Sequence, residues 1–113
     1  MSTDYPNDAD GDALRRVVND GNDISKPMDV DFPVVFADEV TARRFSEVAR
    51  EHGYFPQLWK SAEDDQWEVI CVKRMVLTYI AVLDVQRELD NLSEPFGGYS
   101  DGWGTFGNKE RVN

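Results

Sequence analysis

The sequence predicts an α+β sandwich, a four-stranded antiparallel sheet with two helices on one of its faces. Three observations predict it. Residues 28–36, MDVDFPVVF, alternate apolar and polar with the two-residue period of a half-buried strand. Residues 38–52 and 78–96 carry apolar side chains three and four apart behind a capping Asp or Thr, which is the helical period. Two more strand-like runs lie between these helices and a glycine-rich one follows them, so the core reads β-α-β-β-α-β.

Each element has its own local reason. Residues 1–8 are polar and expected to be loose. Asp12 is the expected N-cap of a short extra helix within about residues 9–20, with Leu14, Val17 and Val18 on one face and Gly21 ending it in the left-handed conformation. A linker, NDISKP, leads to the first strand. There Met28, Val30, Phe32, Val34 and Phe36 share one face, and Asp29, Asp31, Pro33 and Val35 share the other. Pro33 has no N–H to give a ladder, so a bulge or an unpaired side is expected beside it.

Asp38 caps the next helix, whose inner face is Ala42, Phe45, Val48, Ala49 and His52. Gly53 closes it, and Tyr54 folds back on its last turn. Residues 54–60 and 66–77 form a hairpin around SAEDD. Thr78 caps the second long helix, over about 79–95, with the stripe Val82, Val85, Leu89, Leu92 and Phe96. Pro95 and Gly97-Gly98 end it. A last strand within YSDGWGTF completes a ferredoxin-like sandwich over about 27–106, with 107–113 as a loose tail. The whole is expected to be one domain, with no internal repeat or low-complexity segment.

Charge and composition narrow the function classes. Twenty-two acids against twelve Lys and Arg give a net charge of −10, half of it within residues 1–31, where eight acids meet three bases. Such a surface repels phosphate, which argues against nucleic acid and anionic membrane as direct partners. One cysteine excludes an internal disulfide, and no apolar run reaches the ~20 residues that span a bilayer. The start of the chain carries no secretory signal pattern, so a cytoplasmic location is expected.

Four apparent sites do not hold. GWGTFG, residues 102–107, matches the pyrophosphate-cradling G-x-G-x-x-G, but only six residues follow it, too few for the helix whose N-terminus would face the phosphates. DADGD, residues 8–12, has the rhythm of a calcium loop but not its glycine or its closing glutamate. His52 suits the C-terminus of a helix, and Cys71 suits a small core position. No catalytic set, metal or cofactor is expected. The tryptophans are more informative. Trp59 and Trp67 flank the hairpin loop, where pairing would bring them together either as core or as exposed anchors for a partner on the open sheet face.

Several stretches together resemble one family, the bacterial regulators of ribonuclease activity called RraB, the ribonuclease E inhibitors. The likeness runs through DISKPMDVDFPVVFADEVTARRF, the helix end HGY, WEVICVKRMV and the capped helix after Thr78. It closes on GGYSDGWGT, where Asp101-Gly102-Trp103 is the most specific part. The resemblance covers about residues 21–106. It implies a ferredoxin-like fold and a non-enzymatic protein that docks on ribonuclease E and restrains RNA decay. After its DGW strand the chain departs from the family's acidic extension and runs NKERVN. The residues expected to meet a partner are Asp29, Asp31, Trp59, Trp67, Asp101 and Trp103; Asp101 and Trp103 also fit a structural part in a turn and at the sheet edge. The alternative is a ferredoxin-like dimer that binds a small molecule or assembles through its open sheet face.

Overall fold

A computed structural model describes residues 5–62 and 64–108. The loose ends expected at 1–8 and 107–113 fall mostly outside these residues. The element order is α1 (Ala9–Asn19), β1 (Met28–Phe36), α2 (Glu39–Glu51), β2 (Phe55–Lys60), β3 (Trp67–Met75), α3 (Tyr79–Ser93), a 3-10 turn (Glu94–Phe96), β4 (Tyr99–Ser100) and β5 (Gly104–Thr105).

The sheet is antiparallel in the order β2-β3-β1-β4, with β5 also on β1. β1 and β2 are each antiparallel to β3, so they run parallel with β3 inserted between them. β3 and β4 are likewise parallel, with β1 inserted. The sheet therefore has five strands among the described residues, not the four the sequence predicts. The expected last strand is cut in two.

The cut has a residue-level cause. Ser100 pairs with Val34 and Gly104 with Asp31, so three residues, Asp101 to Trp103, stand opposite two, Phe32 and Pro33. That is a β-bulge of one extra residue. Pro33 offers only its carbonyl on this side, which accepts from the Asp101 N–H at 2.9 Å. Gly102, at φ 81°, supplies the left-handed turn. On the other side of β1 the register with β3 is unbroken from Met28↔Met75 to Phe36↔Trp67. The disruption expected at Pro33 falls on the neighbouring strand.

The extra residue shifts the alternation by one, which carries Trp103 to the core face instead of the open one. Trp103 packs against the core, and its indole N–H donates to Asp10 of α1 at 2.9 Å.

All three helices contribute to one core against one face of the sheet. Leu14 and Val17 of α1, Ala42, Phe45 and Ala49 of α2, and Val82, Val85 and Leu89 of α3 meet the Met28–Phe36 row, Val69 and Cys71. Phe45 lies 5.0 Å from Phe36, ring to ring, and 6.3 Å from Phe96. The caps of α2 and α3 are Asp38 and Thr78, as the sequence predicts. The cap of α1 is Asp8, whose carboxylate accepts from Gly11 N at 2.8 Å; the expected cap, Asp12, lies inside the helix and pairs with Arg15. The sequence offered three acids in DADGD, and the helix begins at the earliest of them.

Candidate functional site

Burial of one sheet face leaves the other free. Alternation places Asp29, Asp31, Pro33 and Val35 of β1, Glu68, Ile70, Val72 and Arg74 of β3, and Phe55, Gln57 and Trp59 of β2 on the side away from the helices. Among the described residues no element covers this face, because α1 lies on the helix side against α3.

The face is unusually aromatic for exposed surface. Phe55 is 75% exposed, Trp59 58% and Tyr99 52%, and Phe106, just beyond β5, is 89% exposed. Two rows can be traced across the strands. One runs Trp59, Glu68, Val35, Tyr99; the other runs Phe55, Val72, Asp31, Gly104. Single exposed apolar residues are ordinary, and these four are spread over β2, β4 and the turn after β5, but all four share the one sheet face that the helices leave open.

A shallow depression of about 510 Å³ opens on this face, lined by Asp29, Asp31, Gln57, Val72, Arg74 and Phe106 together with Gly107 and Asn108. Asn108 fixes its far rim: its backbone N–H donates to Asn22 Oδ1 at 3.0 Å, and its side-chain amide donates to Asp23 O at 2.9 Å. Asp29 meets Arg74 at 3.4 Å, both about two-thirds exposed, which is a weak contact. Among the described residues no cation or hydrogen-bond donor reaches the Asp31 carboxylate. Partial burial, and secondarily the Asp29 charge beside it, raise its pKa above the ordinary value.

The expected partner-binding residues divide between the two faces. Asp29, Asp31 and Trp59 lie on the open face. Trp67 does not meet Trp59: the register sets Trp59 opposite Glu68 and Lys60 opposite Trp67, so the two indoles point to opposite sides. Trp67 packs on the core side, half-buried. Asp101 is exposed at the bulge, and Trp103 is packed inward. Phe55, Tyr99 and Phe106 were not singled out from the sequence. Phe55 was legible, since strand alternation puts it on the side of Trp59. Tyr99 and Phe106 were not, because the bulge between them resets the alternation.

The remaining reactive groups are engaged structurally. Cys71 is fully buried, and burial pushes its thiol up to about 12, far from a nucleophile's range. The Tyr54 hydroxyl donates to Glu88 at 2.5 Å, and burial first, then that carboxylate, raise its pKa. Lys73 sits 5.1 Å over the Tyr54 ring. The acids of DADGD fasten α1. Asp8 accepts from the Tyr79 hydroxyl at 2.5 Å, and Asp10 accepts from both Trp103 and Gln86. The hydrogen bond from Tyr79 holds the Asp8 carboxyl below the ordinary range. Among the described residues no group of three or more His, Cys, Asp or Glu could hold a metal ion. The glycines of GWGTFG sit at the bulge, in β5 and in the turn after it, with no helix following through Asn108.

Comparison with known families gives a match over most of the chain. The model for "RraB: Regulator of ribonuclease activity B" aligns with residues 7–105, which spans every described helix and strand. No curated protein matches the chain.

Proposed function

From the premise that this chain belongs to the RraB family of regulators of ribonuclease activity, we propose that it acts by contact with a protein, as an acidic modulator that docks on ribonuclease E and restrains RNA decay in the cytoplasm. The observation that carries this reading is the uncovered sheet face, aromatic and net acidic, on a molecule of charge −10. An acidic partner approaches a basic, RNA-binding enzyme region faster and in better register than a neutral one. The strand order, with both βαβ units split, supports a ferredoxin-like scaffold whose fourth strand is interrupted at the bulge. The role requires no catalytic residue of its own.

The test is co-purification with ribonuclease E at low and moderate salt, together with an RNA-cleavage assay with and without this protein. Binding that weakens with salt and a reduced cleavage rate are expected. Unaltered cleavage with no complex at either salt removes the reading. The exposed aromatic face also suits a second copy of the chain, and sedimentation over a range of concentrations decides between the two: a stable dimer with Trp59 buried leaves no face for the ribonuclease.

A further inference from the structure

Resting on that reading, the chemistry of the open face can be carried to its partner. The face combines two properties. Phe55, Trp59 and Phe106 present uncovered ring surface. Among them stand three acids, Asp29, Asp31 and Glu68, against one base, Arg74. Arg74 contacts Asp29 only loosely, and Asp31 has no counter-charge among the described residues.

Three kinds of occupant can use stacking rings. Nucleic acid stacks its bases but brings phosphates against the carboxylates, at a like-charge penalty. A second copy brings the same acids face to face, from a molecule already at −10. A cationic protein segment meets both properties at once. Arginine does so better than lysine, because its planar, weakly hydrated guanidinium lies flat on aromatic rings and presents paired donors to a carboxylate. We propose that the open sheet face docks an arginine-bearing segment of the partner protein, with guanidinium groups lying on Phe55 and Phe106 and pairing with Asp29 and Asp31, and a further one lying on Trp59 beside Glu68.

The three tryptophans provide built-in position reporters. The Trp59 indole is on the open face, whereas those of Trp67 and Trp103 are on the core side. The experiment follows their indole N–H resonances in 15N-labelled protein, with Trp59 assigned by its loss in Trp59→Phe. The probes are a short capped peptide of alternating arginine and serine, its lysine counterpart, and an oligouridylate RNA. The arginine peptide is expected to move Trp59 saturably and leave Trp67 and Trp103 in place, with the lysine peptide at least about fivefold weaker.

Asp29→Asn combined with Asp31→Asn is expected to weaken the arginine peptide by about tenfold or more. Glu47→Gln with Asp84→Asn, the same change of charge on exposed helix positions, is expected to leave affinity unaltered. Equal affinity for lysine, a response at Trp67 or Trp103 instead of Trp59, a Trp59 shift on adding RNA, or a Trp59 shift that depends on protein concentration alone each overturns the proposal.

Co-purification of both variants with ribonuclease E separates this proposal from the regulator reading. If the ribonuclease binds wild type and the Asp29/Asp31 variant equally, the surface is wrong while the regulator reading stands. If the peptide occupies the face but no ribonuclease binds, the surface stands and the regulator reading falls.

Discussion

Asp31 shows how one residue of the open face carries a cost to the fold. It stands beside Asp29 on the same face, partly buried and without a cation among the described residues. Because its pKa is raised in the folded state, that state binds more protons just above the ordinary value of 3.8, and stability falls as pH rises through that window. Asp31→Asn, which cannot ionise, is therefore expected to raise the melting temperature at pH 7 and to leave it unaltered near pH 3, where aspartate is also neutral. The gain stays within about 1 kcal/mol because the site is well solvated. The same variant is expected to weaken partner binding, so melting curves and a binding assay should move in opposite senses. Cys71 is a simpler case. Fully buried, with its thiol pushed up to about 12, it is expected to stay unmodified by a thiol reagent in native protein and to react at once in denaturant.

At the scale of the element, the bulge between β4 and β5 is the device on which most depends. Pro33 withdraws one donor, three residues span two, and the slip turns Trp103 inward onto Asp10. Gly102→Ala forces a side chain into φ 81° with open space around it, so the cost is conformational and expected near 1 kcal/mol in denaturant unfolding. Trp103→Phe keeps a ring but removes the indole donor to Asp10. It is expected to cost about 1–3 kcal/mol, partly because Asp10 loses one of its two partners. The helix α1 is joined to the sandwich by the same contacts and by Leu14, which is fully buried. Leu14→Ala is expected to lower stability by about 2–5 kcal/mol, read by the same unfolding curves. An α1 that merely decorated the fold would give a much smaller loss.

At the scale of the molecule, alternation in β1, helical periods in α2 and α3, and the caps Asp38 and Thr78 were all readable from the sequence, because each is a local pattern of period two or 3.6. The inner faces followed from those patterns except at His52, which is exposed at the C-cap of α2 instead of facing the core, and so did the open side bearing Asp29, Asp31 and Trp59. The four-strand expectation failed at one place, where a single extra residue breaks the ladder opposite Pro33. The pairing of Trp59 with Trp67 failed through register: they stand one rung apart, and one rung reverses a side chain's face. That Tyr99 and Phe106 share a face with Phe55 and Trp59 was likewise invisible, since it depends on which strands become neighbours. What the sequence determined by itself is which residues are apolar, at what spacing, and where helices start and stop, because propensity, capping and periodicity act within a few residues. What only the tertiary structure decided is the register of the last strand, the side on which α1 lies and the aromatic, acidic composition of the open face. These depend on pairing between residues distant in the chain, and a shift of one residue in that pairing exchanges the inside for the outside.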